Sequence, residues 1–206
     1  MTDQPVRTEA DGDVWRVTLD SAGTGNAVDP AMAAALGEAL RARPPRTRAV
    51  LLLAEGERFC VGGDVRGFAA AADPGAEVGR LAADWHEVVR TLLASPVPVV
   101  AGVHGAVAGA GVGLLGACDV VVCARSTRIR PAYAAIGFSP DGGTSWTLAQ
   151  ALGPARALDL VLTDGTLDEH LDHEARLVAE SAADPEGREG VRAFVAKRRP
   201  DFRTAR

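Results

Sequence analysis

The stretch HGAVAGAGVGLLGACD, residues 104–119, contains GVGLLG at 111–116, which fits the pattern G-x-G-x-x-G. Where that pattern holds a dinucleotide, the first glycine closes a turn directly after a strand. The third lets a helix pack on the sheet, and an acid ends the next strand to hold the ribose. Here the apolar run at 97–103 stops well short of Gly111, and the next run, DVVVC, leads into Ala124 and Arg125 with no acid. Dinucleotide binding is therefore not the reading, and the glycines need another role. Two glycine-rich turns, FCVGGD at 59–64 and GAGVG at 109–113, each follow an apolar run, and the second opens a helix. Backbone N–H groups gather in such turns and at helix starts. Two of them aimed at one point form an oxyanion hole without any charged side chain. The competing reading is that the glycines only let a helix lie close to a sheet.

Outward from these turns, apolar runs alternate with helical patterns. VWRVTL at 14–19 alternates, with Trp15, Val17 and Leu19 on one face, and reads as a strand. Asn26 and Asp29 are cap candidates before Pro30 and an alanine-rich helix to about Leu40. AVLLLA at 49–54, VPVVAGV at 97–103 and DVVVCA at 119–124 read as strands, the first two buried. Helices are expected at about 77–93, after the PDGG turn at 140–143, at 154–162, at 167–183 and at 186–199. This is an α/β chain with helices gathered at its end.

The chain has 206 residues, 47% of them hydrophobic, with a formal net charge of −5. That suits one globular unit with a sizeable core. No basic stripe is present, so nucleic acid is not an expected partner. No apolar run approaches the roughly 20 residues of a membrane helix, and the polar, acidic start is unlike a signal peptide. The three cysteines, Cys60, Cys118 and Cys123, form no C-x-x-C. They are expected to be core thiols of a cytoplasmic protein, with Cys118 and Cys123 in one strand. The four histidines have no partners at ligand spacing, so no metal is expected.

Taken jointly, RFCVGGD, PVVAGVHGAVAGAGVGLLGACDVVV and AYAAIGFSPDGG resemble the enoyl-CoA hydratase/isomerase (crotonase) superfamily, over about residues 14–153. The terminal segment from Glu174 to Phe202 is similar to the family's terminus. The resemblance implies a crotonase-like ββα spiral core at 1–166 and a shortened C-terminal helical region at 167–206 in the same folding unit. Several tens of residues usual in the family have no counterpart between Thr166 and Leu167. It implies a coenzyme A thioester as substrate, with no separate cofactor, since coenzyme A is part of the substrate. The oxyanion donors would be the N–H groups of Val61 and Ala110. Gly62, Asp64, Trp85, Gly109, Gly113, Ala132 and Tyr133 would belong to the substrate pocket. Arg66 and Lys197, the only lysine, are candidates for the coenzyme's phosphates.

The departures from the family matter. Gly113 and Ala132 stand where its hydratases carry two glutamates, so neither position can move a proton and hydration is not expected. Returning glutamate to both is expected to restore some of it. Asp141 falls where family isomerases place a catalytic carboxylate, although Pro-Asp-Gly is also ordinary turn chemistry. His86, with Trp85, Gly113 and Asp141, is similar to the constellation of the family's 4-chlorobenzoyl-CoA dehalogenases. There an aspartate attacks the ring and a histidine helps water cleave the ester. The expected function is double-bond isomerisation through Asp141. The alternatives are hydrolytic or dehalogenase-like chemistry through Asp141 and His86, and binding of acyl-CoA or a partner without turnover. A homo-oligomer, trimer or hexamer, is expected.

Overall fold

In a computed structural model the described residues are 4–167, 184–195 and 197–201, and the chain divides into two compact units, Met1–Thr166 and Leu167–Arg206. The first unit is built on five strands: β1 (Val6–Asp11), β2 (Val14–Leu19), β3 (Ala49–Ala54), β4 (Val99–Val103) and β6 (Val120–Cys123). They lie in that order across one sheet. β1 and β2 form an antiparallel hairpin, and the remaining pairs are parallel, with Trp15 beside Val50, Leu52 beside Ala101 and Val103 beside Cys123. β5 (Ala106–Ala108) and β7 (Arg128–Arg130) pair separately as a parallel ribbon.

Alternation decides which face is covered. Trp15, Val17 and Leu19 of β2, Val50 and Leu52 of β3, and Val99, Ala101 and Val103 of β4 are all buried. Against them lie α1 (Pro30–Arg41), through Met32, Leu36 and Leu40, and α3 (Pro74–Leu93), through Leu81, Trp85, Val88 and Leu92. Each large apolar side chain fully withdrawn from water contributes roughly 1.5–3 kcal/mol. The Trp15 indole N–H also donates to the Ala39 carbonyl at 2.9 Å, which fixes α1 on the sheet. Asp29 caps α1 by accepting the Met32 N–H at 2.7 Å. Asn26 does not cap. With φ +55° and complete burial, it accepts the Ser21 N–H and donates to the Glu55 and Arg58 carbonyls, pinning two loops together.

Several sequence expectations are corrected. β1 was hidden in a polar segment because only Val6 of its six residues is buried. The cysteines are not all core thiols: Cys60 is buried, Cys118 half-buried and Cys123 exposed. Cys118 precedes β6 and only Cys123 lies within it. β6 is an edge strand whose four residues are all exposed. No helix among the described residues is long and apolar enough to cross a membrane.

α2 (Val65–Ala70), α4 (Ala110–Gly116), α5 (Thr144–Leu152) and α6 (Pro154–Thr163) complete the first unit. In the second unit α7 (Pro185–Val195) ends earlier than the expected Arg199. There Arg198 grips the Glu189 carboxylate with two N–H groups, at 2.5 and 3.0 Å, and holds it well below the usual carboxylate range, at about 2. Of the helix expected at 167–183, residues 168–183 lie outside the described residues.

Candidate active site

β3 runs out of the sheet into the first glycine turn, and the chain on either side holds that turn in place. On one side the Phe59 N–H donates to the Ala106 carbonyl at 3.1 Å and the Ala108 N–H to the Cys60 carbonyl at 2.9 Å. On the other, the Val28 N–H donates to the Gly62 carbonyl at 2.7 Å and the Asp64 N–H to the Val28 carbonyl at 2.9 Å. Gly62 has φ +88°, and a Cβ there would stand 2.9 Å from the Ala108 carbonyl oxygen. Only glycine fits that conformation and that approach. Cys60 is buried beneath the turn; burial pushes its thiol up to about 11, opposed in part by the Gly62 N–H.

The second turn, Gly109, leads directly into α4, and the helix starts at Ala110. The GVGLLG pattern therefore lies inside a helix rather than in a phosphate-binding turn. Its glycines allow close approach. A Cβ on Gly111 would meet the Cys60 carbonyl oxygen at 2.7 Å, and one on Gly113 the Gly142 carbonyl oxygen at 2.3 Å. The packing reading of these glycines is correct for α4 itself.

The two expected oxyanion donors differ. The Ala110 N–H has no acceptor among the described residues. The Val61 N–H lies 3.2 Å from the Gly25 carbonyl, a bond between two loops rather than within a helix or the sheet. Val61 can reach a ligand oxygen only as a shared, three-centre donor or by leaving Gly25.

Both turns open on a cavity of about 820 Å³. Its wall includes Val61, Gly62, Gly109, Ala110, Trp85, Ala132, Tyr133 and Asp141, and the remainder is mostly apolar. Asp141 is the only ionisable carboxylate among those lining residues. It sits in the Pro-Asp-Gly-Gly turn ahead of α5, half-buried, and its carbonyl accepts the Thr144 N–H at 2.9 Å. The Tyr133 phenol donates to Oδ1 of Asp141 at 2.7 Å. Trp85 and His86 sit on α3. The Trp85 indole N–H donates to the Ala110 carbonyl at 3.3 Å, and Nε2 of His86 accepts the Gly142 N–H at 3.1 Å.

These features match a known family. The model of the enoyl-CoA hydratase/isomerase family fits residues 9–168. The chain belongs to that family. It is 35% identical over 162 residues to a probable enoyl-CoA hydratase of Rhodobacter capsulatus, covering 79% of this chain and 62% of that one. It is 34% identical over 168 residues to the 1,2-epoxyphenylacetyl-CoA isomerase of Escherichia coli, covering 78% and 63%. The chain thus spans about three-fifths of the length of these relatives. Among solved structures it superimposes on a protein from Mycobacterium abscessus described as a putative enoyl-CoA hydratase/isomerase, with a TM-score of 0.75 at 25% identity, covering 95% of this chain and 98% of that one. The mixed α/β architecture is that of the crotonase fold.

Not every expected pocket residue lies on the cavity. Gly113 is buried under the Asp141 turn. Asp64 caps α2 by accepting the Arg66 N–H and faces a second cleft with Asp29, Asp73 and Glu77. Arg66 is exposed on α2, and Lys197 belongs to the second unit. Among the described residues no cluster of three or more His, Cys, Asp or Glu side chains is placed to share a metal ion. The contacts of Tyr133 with Asp141 and of His86 with Gly142 carry no sequence signal. The first joins residues 8 positions apart through a loop, and the second joins α3 to a turn 56 positions away.

Proposed function

We propose that this protein acts on an acyl-CoA thioester and shifts a carbon–carbon double bond by proton transfer through Asp141. The observation that carries this is the placement of one carboxylate in an apolar cavity whose wall also holds the unengaged Ala110 N–H. In a 3-enoyl thioester the proton leaves the carbon next to the carbonyl for the Asp141 carboxylate. The C–H electron pair passes into the conjugated system and charge collects on the thioester oxygen. The Ala110 N–H, joined by the Val61 N–H shared with Gly25, donates to that oxygen. One such donor can lower the barrier by about 3–4 kcal/mol. The same proton then returns at the far end of the former double bond, giving the conjugated 2-enoyl product.

Hydration is not part of this reading, since Gly113 and Ala132 supply no acid or base. Dehalogenase-like hydrolysis is disfavoured because His86 does not line the cavity and its Nε2 is taken by the Gly142 N–H. The coenzyme contacts proposed for Arg66 and Lys197 rest on family resemblance alone.

We also propose self-association as a trimer or hexamer in a cytoplasmic setting. Exposed Val120, Val121 and Val122 on an edge strand support it, because such edges are usually covered. Light scattering at micromolar concentration tests it, and a monomer would contradict it. The chemistry is tested by incubating the protein with 3-enoyl-, 2-enoyl- and aryl-CoA thioesters. The expected result is a 2-enoyl product from the first, with no hydroxyacyl product from the second. Binding without turnover of any of them would instead favour a non-catalytic acyl-CoA binder.

A further inference from the structure

Tyr133 is 7% exposed, and its side chain ends in a short chain of hydroxyl groups. Its O–H donates to Oδ1 of Asp141 at 2.7 Å, and its oxygen lies 3.3 Å from Oγ1 of fully buried Thr144. A phenol has one proton, and here Asp141 receives it, so the Thr144 hydroxyl is the donor in the second contact. Burial first, and then the neighbouring Asp141 charge, push the Tyr133 phenol up, so it remains a donor across the working range. The segment that brings it there leaves β7 through Pro131 and Ala132, the latter at φ +60°, and returns through Gly137 at φ +70° to Asp141. Both ends of the contact are thus held by backbone turns.

A carboxylate has two oxygens and a broad torsion about its last bond. With Oδ1 held by the phenol, the torsion is fixed. Oδ2, which has no protein donor among the described residues, is the oxygen left for the substrate. We propose that Tyr133 is a positioning residue for Asp141: its phenol holds Oδ1 and thereby presents Oδ2 to the acyl carbons. This rests on the reading of Asp141 as the proton carrier. Orientation of this kind acts on the chemical step and not on capture of the thioester, whose oxygen is held by backbone N–H groups.

The test compares wild type, Tyr133→Phe and Asp141→Asn in the isomerisation of a 3-enoyl-CoA. Tyr133→Phe should lower kcat by about 10–100-fold with KM changed less than about twofold, a loss between full activity and that of Asp141→Asn. In D2O it should also raise, at least about twofold, the share of product hydrogen drawn from solvent, because an unheld carboxylate exchanges its proton before returning it. A merely structural tyrosine would move neither this share nor kcat at constant KM. If Asp141→Asn loses activity while Tyr133→Phe keeps wild-type kcat and exchange, the positioning role is overturned and the Asp141 reading stands. If the wild type is inactive or Asp141→Asn keeps its full rate, the Asp141 reading fails and the positioning role fails with it. Should Tyr133→Phe not fold, Thr144→Val takes its place. A fall in kcat of about threefold or more at constant KM supports the chain, and an unchanged kcat overturns it.

Discussion

Nε2 of His86 accepts the N–H of Gly142 at 3.1 Å, one residue beyond Asp141. The ring on α3 accepts through Nε2 and holds the turn that carries the carboxylate. His86→Gln keeps an acceptor and should change isomerisation little. His86→Ala leaves the N–H of a buried turn unpaired and should cost about 1–3 kcal/mol in chemical denaturation. A stability equal to wild type would show that the bond is not formed in solution.

Gly113 stands against the carbonyl oxygen of Gly142, which a Cβ would approach to 2.3 Å. That distance counts against the expectation that returned glutamates restore hydration, since the Gly142 backbone would have to shift to admit a side chain. Gly113→Ala should destabilise by about 1–3 kcal/mol through overpacking. Gly113→Glu should do so by more and should not hydrate crotonyl-CoA. Denaturation midpoints and a hydration assay check both.

The thiols separate by burial. Exposed Cys123 should react with iodoacetamide in the native protein, while Cys60 should react only on unfolding. Because burial lifts Cys60 from 9.0 to about 11, its neutral form is favoured in the folded state. The corresponding stability is fully present below pH 9 and is lost as pH rises from 9 through 11. Native labelling of Cys60 at the rate of Cys123, located by peptide mapping, would contradict its placement.

Much of this architecture is legible in the amino-acid order because burial writes a period. β2 alternates and the inward face of α1 repeats as their covered faces require, while β3 and β4 are legible as short, continuous apolar runs. β1 and the β5–β7 ribbon are illegible for the same reason, since mostly exposed or very short strands leave no apolar pattern. In the candidate site, the glycine turns and Asp141 stand out as motifs. What fixes Asp141 does not: Tyr133 and Thr144 meet it through the local path of the chain around the turn, and His86 reaches the turn from α3, 56 positions away. The engagement of Val61 with Gly25 likewise follows from how two loops lie together.

The central claim is that Asp141 carries the proton. Asp141→Asn preserves the size of the side chain and the turn but cannot shuttle a proton, and the backbone donors are untouched. The decisive measurement is the rate of 3-enoyl-CoA isomerisation by wild type and by Asp141→Asn, with thioester affinity determined alongside. The account predicts a loss of about 10²–10⁴-fold in rate with binding retained. A variant that keeps the full rate of an active wild type would make Asp141 a turn residue and would contradict the mechanism.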